Sequence, residues 1–176
     1  SSSGCTLKVS KTGGKRATRP VRSVRPRTYG SSTPGKSVRG PLAYLQSGLP
    51  LDFKQPMKGK IGLLIGAFAL ADKRVQRRAM QSGLKALLCV DMRVPFAWPT
   101  SIGAAPQWMD GFTMPSAGIS YLDAIELVEQ LPLQAELAIR SKFFPSVSQN
   151  IIAEIKGSQH PDEVIVVSGH HDCVEE

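Results

Sequence analysis

The clearest periodic signals lie in the middle of the chain. Met57-Lys58-Gly59-Lys60 leads into Ile61-Gly62-Leu63-Leu64-Ile65, an apolar run that reads as a strand entered through a glycine turn. From Asp72 to Ser82, Val75 and Ala79 fall four apart while Arg77 and Arg78 face elsewhere. Met80 widens the inner face and Gly83 stops the pattern, so the segment is expected to be an amphipathic helix. Lys85 to Val90 is a second apolar run. A strand, helix, strand order favours parallel pairing through a right-handed crossover.

Val94 to Thr113 breaks this regularity, because Pro95, Pro99 and Pro106 interrupt any continuous element. Its two tryptophans, Trp98 and Trp108, either form a recognition surface or pin the loop to the core. Ser120 then stands three residues before Asp123, the arrangement of a helix cap, and Tyr121 to Gln130 carries Leu122, Ile125 and Val128 on one face, with Leu127 and Leu131 beside it. Pro132 ends that helix. Leu133 to Phe144 alternates Leu133, Ala135, Leu137 and Ile139 with mostly polar neighbours, the pattern of a half-buried strand.

Near the C-terminus, Ile151 to Ile155 and Val164 to Val167 flank the turn-forming segment Gly157 to Asp162 and read as neighbouring strands. The second run does not alternate. It is expected to be a strand buried on both faces or, at only four residues, a short buried helix.

Residues 1 to 40 lack such patterns; rich in Ser, Gly, Thr, Arg, Lys and Pro, they are expected to be disordered, since ordering them would not offset the entropy cost. The 176 residues carry a net charge of +8, and residues 1 to 51 hold ten Lys or Arg with no acid. A basic tail suits nucleic acid or an anionic surface. It has only Tyr29 and Tyr44 as aromatics, so stacking is weak and composition argues against nucleic acid as a partner. The longest apolar stretch, Ile61 to Ala71, is too short to span a membrane, and the first thirty residues hold no apolar signal region. Cys5, Cys89 and Cys173 show no paired spacing, and Cys89 reads as a small buried hydrophobe.

Candidate chemistry follows the last apolar run. Ser168-Gly169-His170-His171-Asp172 places an imidazole and a carboxylate at i and i+2, on one side of an extended backbone. A neutral His binds zinc through one ring nitrogen while a carboxylate holds the other N–H. Taken bare, Gly-His-x-Asp also occurs in ordinary surface loops. Asp123, Glu126 and Glu129, at i, i+3 and i+6, read as a solvated helix face.

The wider context of that motif, Asn150-Ile-Ile-Ala-Glu-Ile-Lys-Gly-Ser158 followed by Pro161-Asp-Glu-Val-Ile-Val-Val-Ser-Gly-His170-x-Asp172, closely resembles the start of the catalytic domain in zinc exopeptidases of the plasma glutamate carboxypeptidase (carboxypeptidase Q-like) family. The Lys58-Gly59-Lys60-Ile61 turn and strand, and the Pro115 to Ala124 segment, resemble the opening and close of a protease-associated domain; Tyr29 to Gly35 faintly resembles a turn in the same family. The resemblance implies that His170 is a zinc ligand, that Asp172 supports it, and that two zinc ions act together in the complete enzymes. The chain departs from the family at His171, usually apolar, and at Cys173, usually Ser. The family's bridging Asp, Glu-Glu pair, further acidic ligand and distal His are not in this sequence, and Glu175-Glu176 lies too near Asp172 to be that pair.

The expected organisation is therefore mixed α/β: a basic tail over 1–40, a protease-associated-like domain over 41–145, and over 146–176 the first strands of an incomplete α/β zinc-peptidase domain. The expected function is that of a fragment of a co-catalytic zinc metallo-exopeptidase, amino- or carboxypeptidase, without stable zinc binding or turnover of its own. The alternative is a non-catalytic interaction module binding a peptide or protein. The resemblance also implies a peptide substrate and a possible homodimer for the full-length enzyme, and a secreted or lysosomal location.

Overall fold

In a computed structural model the chain divides into two units, Ser1–Lys142 and Phe143–Glu176. The structure describes residues 4–13, 18–27, 30–66, 73–90, 92, 95–99, 114–142, 145, 147 and 149–169.

Unit 1 contains one mixed sheet of eight strands: β1 (Gly4–Lys11), β2 (Arg19–Val21), β3 (Arg25–Pro26), β4 (Val38–Tyr44), β5 (Ile61–Ile65), β6 (Ala86–Val90), β7 (Ser116–Gly118) and β8 (Leu133–Arg140). Two helices accompany it, α1 (Lys73–Gln81) and α2 (Tyr121–Glu129), with a 3-10 turn at Pro50–Phe53. The strand order is β2-β1-β8-β4-β5-β6-β7-β3. The fold is thus α/β, as expected, and the β5-α1-β6 unit is parallel with Ile61 opposite Ala86 and Ile65 opposite Val90.

The sheet has two characters. From β2 to β4 every pairing is antiparallel, and from β4 to β7 every pairing is parallel. The two outermost strands, β2 and β3, are consecutive in sequence, and β3 also lies against β1. Only residues 22–24 separate them, so the sheet must bend round to bring its edges together, a device that leaves little edge unpaired.

Its inner face gathers one apolar cluster that includes Leu7, Val9, Leu42, Ile61, Leu88, Leu137 and Ile139. The opposite face of β5 and β6 meets α1 in a second cluster, where Leu64, Leu87 and Cys89 pack with Val75 and Ala79. Strands covered on both sides show no alternation, whereas β8 alternates buried and half-buried residues. Gly40 has a specific role here: a Cβ at this position would run into the carbonyl oxygen of Gly59, so only glycine lets β4 approach the Lys58–Lys60 turn. Gly83 ends α1 with φ +80°, a left-handed stop.

Three expectations need correction. The described residues of 1–40 do not form a disordered tail: β1, β2, β3 and the start of β4 lie there, with Leu7 and Val9 each 1% exposed. Cys5, Leu7 and Val9 alternate with Thr6, Lys8 and Ser10, and that short period supplies an inward face despite the surrounding charge. In α2 the fully buried residues are Ala124 and Leu127, with Val128 and Leu131 packed beside them, whereas Leu122, expected to point inward, is exposed.

The third correction concerns unit 2. Among its described residues there is no strand, and Val164, Ile165, Val166 and Val167 are 79–93% exposed rather than buried. Ile151, Ile152 and Ile155 are exposed as well. An isolated pair of short strands is marginal in water, and the described residues of unit 2 hold no helix or strand to cover an apolar face. The turn between the runs is present, with the Glu163 N–H donating to the His160 carbonyl at 3.1 Å.

Candidate functional site

His170 and Asp172, the residues expected at a zinc centre, lie outside the described residues, as do His171 and Cys173. The described segment leading to them, through Gly169, is exposed. His160, the only other histidine, faces the Glu163 carboxylate with Nδ1–Oε1 at 3.9 Å, both side chains largely in water. Among the described residues no group of three or more His, Cys, Asp or Glu is placed to hold a metal ion.

The thiols do not fill the gap, because a thiol must ionise to serve as a good ligand. Burial pushes Cys5 up to about 12. Cys89 is raised by burial too, against an opposing influence from Arg27, whose Nη1 donates to its Sγ at 3.3 Å. Both therefore stay protonated near neutral pH. Sequence patterning gave no sign of this contact, since Arg27 is 4% exposed although it sits in a stretch dominated by charge.

Two of the three acids of α2, Asp123 and Glu126, make contacts within the fold, while Glu129 is exposed. Ser120 caps the helix by accepting from the Asp123 N–H at 3.2 Å, as the spacing predicted. The Asp123 carboxylate accepts from the Ser23 backbone N–H at 3.3 Å, and the Ser120 N–H donates to Ser23 Oγ at 2.9 Å. Glu126 pairs with Arg19 at 2.8 Å. These contacts tie the β2–β3 connection to the start of α2, and so help hold the curved sheet closed.

Trp98 is half-exposed, while Trp108 lies outside the described residues. Phe96 rests against Tyr121 with ring centroids 5.0 Å apart, and the Leu122 N–H donates to the Phe96 carbonyl. The loop is thus pinned at Phe96 while Met92, Trp98 and Leu122 keep about half their surface in water.

No protein-family model matches this chain, and no curated protein sequence does. Solved structures do. A zinc aminopeptidase from Bacillus subtilis superposes with a TM-score of 0.54 at 18% identity over 78% of this chain and 33% of its own. An aminopeptidase from Aneurinibacillus sp. strain AM-1 gives 0.57 at 18% identity over 78% and 32%. A peptidase M28 precursor from Shewanella amazonensis gives 0.53 at 11% identity over 77% and 34%. The fold is therefore one found in zinc aminopeptidases, and the chain spans about a third of their length.

Proposed function

We propose that this chain is the accessory β-rich domain of a zinc exopeptidase together with the opening of its catalytic domain. Unit 1 corresponds to the protease-associated-like part. His170, in residues 143–176, is a zinc ligand of that enzyme, with Asp172 orienting its ring. One conjunction carries this reading: a fold shared with zinc aminopeptidases is followed in the same chain by an apolar run and Ser-Gly-His-x-Asp.

The exposure of Ile151, Ile152, Ile155 and Val164 to Val167 fits it, since seven large apolar side chains in water call for a covering sheet. In the whole enzyme further strands of the peptidase domain supply that cover. Zinc in such enzymes polarises the substrate carbonyl and lowers the pKa of a bound water. The described residues do not by themselves fit a zinc centre, because a catalytic zinc needs about three protein ligands and they bring none together. No catalytic step is assigned to them.

The test is amino-terminal hydrolysis of a leucine anilide by the polypeptide as its source makes it, with zinc content measured alongside. His170→Ala is expected to abolish turnover and lower bound zinc, and Asp172→Asn to cost about 10–100-fold in activity or metal affinity. A His170→Ala protein with full zinc and full turnover would refute the assignment. The isolated 176-residue chain is expected to show no turnover.

A second reading, a module that binds a peptide or protein, is favoured by the half-exposed Met92, Trp98 and Leu122. Aromatic and Met side chains of this kind are enriched at binding surfaces. Trp98→Ala is expected to abolish partner capture while leaving peptidase turnover intact if that reading holds.

A further inference from the structure

Charge in this chain is segregated by unit. Residues 1–142 hold twenty-one Lys or Arg against eight Asp or Glu, and residues 143–176 hold one against six. With β1 to β4 folded into the sheet, the positive charge is carried on fixed strands and turns rather than on a loose tail.

Three separate segments bring part of it together at the beginning of the parallel strands. Lys58 occupies the turn before β5, where the Gly59 N–H donates to the Gly83 carbonyl at 2.9 Å. The Lys58 stem lies over Gly83, within 3.3 Å of where a Cβ would stand. Lys85 begins the approach to β6; its backbone N–H donates to the Lys60 carbonyl at 2.8 Å, and its Nζ donates to the Arg39 carbonyl at 2.8 Å. Arg39 itself stands on the polar face of β4.

Beside Arg39 and Lys85 is an open hollow of about 550 Å³ lined by Pro34, Ser37, Val38, Arg39 and Lys85, and Lys58 lies on the neighbouring turn. The acid bonded to its lining is already engaged: Glu136 accepts from Arg39 at 3.0 Å and from Ser37 Oγ at 2.8 Å, and Lys8 stands opposite it on β1. Among the described residues Lys58 has no carboxylate partner, and the Lys85 ammonium contacts only a backbone carbonyl. Exposed cations without a counter-charge focus a positive field, and the concave floor strengthens it.

We propose that this hollow, with Arg39 and Lys85 in its lining and Lys58 on the turn packed against Gly83, forms a docking surface for a sulfated polysaccharide. The choice follows from the shape and the lining. The hollow is open, so it suits one stretch of a long polyanion rather than an enclosed small ion. Lysine ammonium groups act as point charges toward tetrahedral oxyanions, without the planar matching that a guanidinium gives a carboxylate. No aromatic side chain lines the hollow, so it lacks the platforms on which single-stranded nucleic acid bases stack.

Binding of the 176-residue chain to heparin, followed by calorimetry at 50 and 200 mM NaCl, tests this directly. The wild-type chain should bind at low salt and weaken steeply at high salt, and Lys58→Gln/Lys85→Gln should lower affinity about tenfold at low salt with a shallower salt slope. Arg22→Gln/Lys142→Gln removes the same charge elsewhere on unit 1 and should change affinity less than about twofold. An unchanged melting temperature in both double variants keeps folding out of the comparison. Equal losses in the two variants, no binding to heparin at low salt, or tighter binding to a single- or double-stranded DNA of equal charge would each overturn the proposal.

Discussion

Ala86-Leu87-Leu88-Cys89-Val90 and Val164-Ile165-Val166-Val167 are both unbroken apolar runs, yet the first is no more than 1% exposed at any residue and the second is 79–93% exposed. The difference lies in what stands beside them. Strand β6 pairs with β5 on one side and β7 on the other, and it carries α1 on one face and the inner core on the other. The C-terminal run has no ladder partner among the described residues. Each large aliphatic side chain left in water forgoes on the order of 1.5–3 kcal/mol, so such a run gains much from any sheet that accepts it. Apolar composition sets the potential for burial, and neighbours decide whether it is realised.

That contrast can be broken most forcefully in the core of unit 1. Leu88→Ala removes a fully buried side chain and is expected to destabilise the 176-residue chain by about 2–5 kcal/mol in urea unfolding, whereas Val166→Ala should change it by less than about 0.5 kcal/mol. Comparable losses at both positions would mean that the C-terminal run is packed in the isolated chain.

A smaller effect is expected where α2 is tied to the sheet edge. Ser120→Ala deletes the helix cap, the side chain's acceptance from the Asp123 N–H, and should cost about 1 kcal/mol by thermal unfolding. No change in melting temperature would remove the cap from the account of how the curved sheet is held.

The smallest effect belongs to the polar face of the antiparallel half. Hydrogen bonds from Arg39 and then Ser37, with added attraction to Arg39 and Lys8, hold the Glu136 carboxyl below its ordinary value of 4.5. Its contribution to stability is therefore present above pH 4.5 and is lost as pH falls through its lower folded value. The pair is solvent-facing, so Glu136→Gln should cost only a few tenths of a kcal/mol at pH 7 and nothing at the acid end of that window. A loss that persists unchanged at low pH would assign the effect to packing instead of charge.

Much of unit 1 was legible from local pattern. The β5-α1-β6 order, the Gly83 stop, the Ser120 cap and the alternation of β8 all follow from short-range chemistry, and all are present. Strand β1 was also written in alternation, from Cys5 to Ser10, but the surrounding Lys, Arg and Gly gave the segment the composition of a disordered tail. Its partner β8 lies more than a hundred residues away, and only that pairing gives Leu7 and Val9 somewhere to go. The burial of Val164 to Val167 was read from the run alone, although burial is a tertiary property. On α2 only Leu122 was misplaced: Val128 packs on the core beside Ala124 and Leu127, while Leu122 at the first turn faces water. The basic hollow was invisible because Arg39, Lys58 and Lys85 come from three segments joined only by the fold. His170 and Asp172 stay a reading of motif and resemblance, since they lie outside the described residues.

Amide hydrogen exchange on the 176-residue chain, read at residues 86–90 and 164–167 in one experiment, bears most directly on the claim that partners decide the fate of an apolar run. The β6 amides should exchange only through global opening, with protection of at least about 10³-fold, while those of Val164 to Val167 should exchange within about tenfold of an unstructured peptide. Strong protection in the C-terminal run, matching that of β6, would contradict it.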